Sequence, residues 1–316
     1  MNKKAVIGIM AGVIIISLVI ALAAGPANTD KTPGAERIGV IYIEGVISGS
    51  RSESGLLGTG SGGQTVLEQL KRAQEDDSIK AVLLRINSPG GSAAASQEIG
   101  DEIEKVRQSG KVVVASMGDV AASGGYWIAA KADKIIANPA TMTGSIGVIM
   151  ESMNIESLYD KIGVTPQTIK SGPYKDIGSP NRALTMDEKT ILQGMVDDIY
   201  QQFVDVVAKG RKMDRNQVLK LADGRIFTGR QAKKLGLVDA LGNYYEAIEL
   251  TKKEAKITGE PEIYEFGPKT PFEKLFGEIS GLSSLNRPAS GLFGLSPREV
   301  QMLKETLTFQ SNIQNR

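Results

Sequence analysis

The stretch IKAVLLRINSPGGS, residues 79–92, decides the fold. Residues 79–86 form a near-continuous apolar run, the pattern of a strand buried on both faces rather than one face wetted. The run leads into Asn87-Ser88-Pro89-Gly90-Gly91-Ser92, where paired glycines permit backbone conformations closed to other residues. A helix is then predicted around 94–107. The same rhythm repeats downstream: a strand KVVVAS at 111–116, a helix containing Ser123, and a strand KIIAN at 134–138. Upstream, RIGVIYIEGVI from Arg37 is rich in β-branched residues and reads as another strand. Strands and helices alternating through short connections imply parallel pairing and an α/β class.

Working outward, residues 49–63 are a Gly/Ser-rich loop, and Thr65 with Glu68 has capping-box spacing ahead of a helix over 66–74. Thr185 and Glu188 form a second such box before a long helix. Its Ile191, Met195, Ile199, Phe203 and Val207 recur every fourth residue, a face for core or subunit contact, and Gly210 is placed to stop it. In RIFTGRQAKKLGLVDALG, Thr228 and Gln231 cap a short helix that Gly236 ends, and 244–256 completes the packed body, residues 37–258. Residues 259–316 gain Gly, Ser and Pro and lose hydrophobic pattern, as a loosely attached tail would.

The N-terminus carries a different pattern. After MNKK, residues 5–24 are an uncharged apolar run, 20 long, and at 1.5 Å per residue such a helix spans about 30 Å, the thickness of a bilayer core. It reads as a transmembrane anchor, residues 1–24 with the cytoplasmic stub, or else as a cleaved secretory signal ending in small residues. Lys3 and Lys4 keep the N-terminus cytoplasmic, so both readings place the body outside. Residues 25–36, GPANTDKTPGAE, are a linker.

Composition removes several function classes. Among 316 residues, 41% are hydrophobic and 23% charged, which describes a globular body with a real core. A net charge of +1 and 5% aromatic content give no basic surface or stacking platform for nucleic acid. There is no cysteine and no histidine. That removes disulfides, thiol nucleophiles, cysteine-ligated zinc, the commonest metal ligand and the Ser-His-Asp triad. Catalysis, if any, falls to Ser, Thr, Lys, Tyr or carboxylates.

Three Gly-rich turns follow strands, at the edge where α/β proteins place their sites. In NSPGGS, Gly90 and Gly91 can bring free N–H groups close to a ligand, donors that suit a developing oxyanion. In AASGGYW, residues 121–127, small neighbours expose the Ser123 hydroxyl and the Gly124 N–H lies beside it as a second donor. The third, NPATMTGSIGV, places Thr141, Thr143 and Ser145 in one polar turn. Neither phosphate-binding pattern, G-x-x-x-x-G-K-[ST] nor G-x-G-x-x-G, is present. Without histidine, a base for serine must be a lysine or a carboxylate, and a lysine serves only when neutral, its pKa brought down from about 10.4 to about 7–8. Lys175, in SGPYKDIGSP, sits in a structured turn with Pro173, Tyr174 and Ile177 around it. From composition alone it reads rather as a solvated loop cation, and Asp176 beside it would hold it charged if the two side chains met.

NSPGGS, ASGGYW, TGSIGV, SGPYKDIGSP and RIFTGRQAKKLGLVDALG occur in the order and spacing of the signal peptide peptidase A family, which this chain resembles over about residues 37–255. The resemblance implies a ClpP/crotonase-type fold of repeated ββα units and a membrane-bound Ser-Lys peptidase needing no cofactor or metal. It places Ser123 on the nucleophile and Lys175, 52 positions on, on the general base. Ser145 falls on the serine that orients the lysine amine, and Gly90 with the Gly124 N–H on the oxyanion hole. The chain is similar to half-length members, which implies a homo-octamer whose dyad is shared between protomers. The implied substrates are remnant signal peptides left in the membrane after secretion. Two rival readings are a crotonase-like acyl-transfer enzyme, which an extracytoplasmic location disfavours, and a non-catalytic ring scaffold.

Overall fold

The computed structural model describes residues 36–50 and 62–267. The apolar segment 5–24, the linker before Glu36, residues 51–61 and the chain beyond 267 lie outside the described residues. Among the described residues no helix is long and apolar enough to cross a membrane.

The strands are β1 (Arg37–Ile47), β2 (Ile79–Gly91), β3 (Val112–Ala122), β4 (Lys134–Ala137), β5 (Met142–Gly144), β6 (Ile226–Thr228), β7 (Ala240–Leu241) and β8 (Glu262–Phe266). The helices are α1 (Gly63–Glu75), α2 (Ala93–Gln108), α3 (Gly124–Ala130), α4 (Glu156–Ile162), α5 (Met186–Arg211), α6 (Arg215–Leu221), α7 (Gly229–Lys234) and α8 (Tyr244–Glu254). The strands join in one sheet in the order β6-β5-β3-β2-β1-β8, with β4 beside β3 and β7 beside β4. Among the described residues only β5 and β6 pair antiparallel, so the α/β class read from the alternation holds.

The apolar run of β2 is buried on both faces because the sheet is covered on both. Val82, Leu84 and Ile86 join Ile41 and Ile43 of β1 and Val113, Ala115 and Met117 of β3 in the large core, which α1, α2, α3 and α5 complete. Leu83 joins Ile38, Val40, Val114 and Ile136 in a smaller core closed by Ala247 of α8 and by Ile257. Odd and even residues thus alternate between two cores, the period-2 rule for strands. At roughly 1.5–3 kcal/mol per fully buried aliphatic side chain, these two layers dominate stability.

Several boundaries differ from the sequence reading: β2 and β3, read as ending at 86 and 116, run on to Gly91 and Ala122, and four further differences bear on the packing. Helix α1 begins at Gly63 rather than behind a Thr65 cap. The Gly63 N–H donates to Ser48 O at 2.8 Å, and a Cβ there would come 2.7 Å from that carbonyl. Ser123 precedes α3 as its N-cap rather than lying inside the helix. Gly210 does not end α5, which runs to Arg211 and closes on Lys212 in a left-handed conformation. Gly210 is there because its Cβ would meet Ala130 O at 1.8 Å, so α5 crosses the end of α3 with no room for a side chain. Finally, β8 lies within the segment read as tail. It pairs with β1 from Arg37↔Glu262 to Ile41↔Phe266, its Glu262 carboxylate accepts from Arg37 Nε at 2.8 Å, and Phe266 is buried against Gly39. The packed body therefore extends to Phe266.

Helix α5 also divides the face read as core or subunit contact. Phe203 and Val207 are buried, and Phe203 stacks on Trp127 with ring centroids 4.9 Å apart. Ile191 and Met195, toward the other end, are exposed.

Candidate active site

Parallel register brings three turns together at the C-terminal ends of β2, β3 and β5. Ser88 of β2 pairs with Ala121 of β3, and Ala122 of β3 pairs with Gly144 of β5. Ser123 and Ser145 are each the next residue along, so they leave adjacent strands, about 5 Å apart in backbone spacing. The Ser123 N–H donates to Gly144 O at 2.9 Å.

Both serines hold backbone conformations that L-residues avoid. Ser123 has φ 52° and ψ −121°, and Ser145 has φ 49°. Of the described non-glycine residues, the others with positive φ are Lys212 and Lys256, each just past a helix. A strand-end residue in such a conformation costs about 1–3 kcal/mol and persists only where its surroundings force it, which points to a site. The forcing is visible. A Cβ on Gly90 would lie 2.7 Å from Gly124 N and 2.8 Å from Ser123 Cβ. On Gly124 it would lie 2.4 Å from Ser96 Oγ and 3.4 Å from Gly91 N. Only glycine fits these contacts, so NSPGGS and AASGGYW are one packed unit.

Ser123 is half-buried at the head of α3, every residue of which is buried. Among the described residues its Oγ makes no hydrogen bond, and neither does Ser145 Oγ. The other hydroxyls of that polar turn are occupied: Thr141 Oγ1 donates to Gly118 O at 2.6 Å and Thr143 Oγ1 to Ala121 O at 2.7 Å. These two threonines pin β5 to β3 and leave Ser145 as the available hydroxyl. Gly90 carries a complication that the sequence did not reveal, since its N–H donates to Ser88 Oγ at 3.1 Å. An oxyanion at Gly90 shares or displaces that bond. Ser88 and Ser96 were missed in the sequence, since Ser88 is brought beside Ala121 by strand register and Ser96 is carried onto Gly124 by α2.

Lys175 stands apart. It lies in the exposed turn after residue 170, with its N–H bonded to Gly172 O at 3.3 Å. Its side chain is exposed and makes no bond to Ser123, Ser145 or any other described residue. Asp176, the neighbour expected to compete for it, is engaged elsewhere: its carboxylate accepts from Lys170 Nζ at 2.6 Å and from Arg182 Nε and Nη2 at 3.0 and 2.8 Å.

Comparison with known proteins adds the family. The profile of peptidase family S49 matches residues 105–258, a span that holds Ser123, Ser145 and Lys175. A putative signal peptide peptidase SppA of Enterococcus faecium is 40% identical over 286 residues, covering 82% of this chain and 83% of its own. The chain belongs to peptidase family S49. A putative protease of Synechocystis, slr0021, is 46% identical over 260 residues, with 81% and 88% covered. Protease 4 of Salmonella typhi is 39% identical over 232 residues, covering 73% of this S49 chain but 36% of its own length. The S49 chain is thus matched over about four-fifths of its length by short relatives and aligns with only part of the long one.

Proposed function

We propose that this S49 chain is a membrane-tethered serine endopeptidase that degrades remnant signal peptides, with Ser123 as nucleophile and Lys175 as general base. The observation that carries it is the strained, unbonded Ser123 hydroxyl at the head of α3, pressed against Gly90 and Gly124. A turn held at that cost with its hydroxyl left free is a nucleophile's setting. The repeated strand–helix units that end in it agree with a ClpP/crotonase-type fold, and the name of the Enterococcus faecium relative agrees with signal peptides as substrates.

The chemistry runs as follows. Neutral Lys175 Nζ takes the Ser123 Oγ proton as Oγ bonds to the peptide carbonyl carbon. The Gly124 N–H, with Gly90 opposite, holds the oxyanion. The lysine ammonium then gives its proton to the departing amine as the C–N bond breaks, leaving an ester on Ser123. Lys175 deprotonates a water, which attacks the ester and frees the peptide acid and Ser123. Ser145 accepts or donates at the lysine amine and fixes its direction.

Lysine is a base only in its neutral form, which burial favours, and in the single chain Lys175 is exposed. Its partner hydroxyls are unbonded and Ile149, Met153, Ile162 and Ile169 are exposed on the same arm. These facts support a homo-octamer in which the arm of one protomer brings Lys175 to Ser123 of the next. Residues 5–24 tether the ring so that it faces the outer side of the membrane, where signal peptides remain after export.

Two experiments test this. A fluorophosphonate should label Ser123 in the wild-type protein and fail in Ser123→Ala and in Lys175→Ala. Mixing Ser123→Ala with Lys175→Ala protomers should restore activity. An assembled ring that takes no label would favour a scaffold, and verified mixed rings without rescue would place the dyad within one chain.

A further inference from the structure

The arm carrying Lys175 is held by one guanidinium whose donors are all used. Arg182 Nε and Nη2 donate to Asp176 at 3.0 and 2.8 Å. Nη1 and Nη2 donate to Glu188 at 2.8 and 2.5 Å, and Nη1 also reaches Ala183 O at 3.2 Å. A guanidinium has five N–H donors, so this is saturation, and a lysine could not reproduce it. The far anchor is firm. Glu188 is buried in the first turn of α5, where it also accepts from the Thr185 N–H at 2.9 Å.

We propose that Arg182 is a positioning residue for catalysis, keeping the Asp176 carboxylate turned away from Lys175 so that the lysine amine can lose its proton. The inference rests on Lys175 being the general base. Asp176 is its chain neighbour, and an unengaged carboxylate there would pair with the ammonium and oppose deprotonation. Instead both carboxylate oxygens are occupied by Arg182, with Lys170 Nζ adding a third bond at 2.6 Å. Lys170 is itself held by Pro173 O at 3.0 Å. Consistent with this, Arg182 and then Lys170 hold the Asp176 carboxyl well below the usual carboxylate range.

The charged groups around the turn are few. The turn itself contributes Lys170, Lys175 and Asp176, the following segment Arg182, and α5 Glu188. The segment before α4 touches the turn through Ser152 Oγ–Gly178 O at 3.4 Å and Ile155 N–Pro180 O at 2.8 Å. It adds Glu151 and Glu156, whose carboxylates do not bond to the turn's cations. Removing Arg182 therefore leaves Asp176 with Lys170 and Lys175 as the cations of its own turn.

The test is the pH dependence of kcat/KM for the full-length protein on a chromogenic peptide, with the rate of fluorophosphonate labelling as a second readout. In Arg182→Ala the acidic limb should move to higher pH by about one unit, the lower end of what a neighbouring charge does, so that activity on that limb falls about tenfold. Arg182→Ala/Asp176→Asn should return the limb to its wild-type position, which a merely structural clamp would not do. Arg182→Lys should shift it partly, and Arg215→Ala, which breaks the exposed Arg215–Asp205 pair, should not shift it. If Arg182→Ala does not fold, Lys170→Ala carries the same prediction with a smaller upward shift. An unmoved limb in these variants, or activity lost equally at all pH, overturns the proposal. So does a double variant that stays shifted. Full activity in Lys175→Ala would instead defeat the base assignment itself, and the two failures are thereby distinct.

Discussion

The two regions that the proposed dyad joins are built in opposite ways. The strand-end cluster of Gly90, Ser123 and Ser145 is set by sheet register, backbone strain and contacts that exclude any side chain. The arm from residue 149 to 185 has exposed apolar residues, a single-turn setting for Lys175, and an ionic clamp at Asp176, Arg182 and Glu188. The first region is finished within one chain. The second is fixed at its root and open at its surface, as a segment completed by another molecule would be. Under the proposed dyad, one chain would hold its nucleophile rigidly while leaving its base to be buried by assembly.

The sharpest way to break this contrast is to remove the reacting groups and watch stability as well as rate. Ser123→Gly and Lys175→Ala should each lower kcat/KM by about 10⁴-fold, since members of one nucleophilic unit fail together. Their stabilities should diverge. Glycine at 123 relieves the φ of 52° and should stabilise the fold by about 1 kcal/mol, whereas Lys175→Ala should leave the melting temperature unchanged. A Ser123→Gly protein that melts lower would show that the turn is not strained. Next in size is the arm surface. Ile149 is 83% exposed and Ile169 fully so, and Asp at either should change the stability of the separate chain by less than about 0.5 kcal/mol. If these residues bury against another copy, each change should weaken assembly and activity about tenfold or more. Light scattering and peptidase assays on the same samples decide it.

How much of this was legible in the sequence follows from the range of the contacts involved. The near-continuous apolar run of β2 announced a strand covered on both faces, and Thr185 with Glu188 announced the start of α5, because both are local patterns. β8 escaped because it follows Gly259 and Pro261 in a segment of falling hydrophobicity, although Tyr264 and Phe266, two residues apart, share one face of a strand. Gly210 looked like a helix stop because its real constraint, the Ala130 carbonyl, is distant in the chain. At the site, each turn could be singled out alone, but only register puts Ser145 next to Ser123. The conflict between Lys175 and Asp176 was visible as a pair of neighbours. Its resolution by Arg182, six residues past Asp176, was not.

Helix α5 repeats the contrast along its own length and offers a finer test. Gly210 sits where a Cβ would strike Ala130 O, and Gly194 where nothing lies within 4 Å. Gly210→Ala should destabilise by about 1–3 kcal/mol, the cost of overpacking. Gly194→Ala should stabilise the separate chain by about 0.5–1 kcal/mol, the helix penalty of glycine. Thermal melts of both variants measure the difference, and equal effects would mean the two halves of α5 are not distinct environments.

The smallest expected effect is in acid, where the clamp's carboxylates lose their charge. Arg182 and then the Thr185 backbone hold the Glu188 carboxyl down at about 2, and Asp176 is depressed by Arg182 and Lys170. Carboxylates lowered in the folded state add stability that is complete above their unfolded values near 4–4.5 and fades as pH falls through the folded ones. The arm should therefore loosen between about pH 4 and pH 2 while the sheet, held by buried apolar layers, stays folded. Pepsin cleavage within residues 170–185, normalised to an unstructured peptide, should rise across that range with Trp127 fluorescence unchanged. In Arg182→Ala, whose clamp is already absent, the rise should vanish. If cleavage and Trp127 fluorescence instead change together, arm and sheet unfold as one unit, and the separation between the two regions ends at the level of stability.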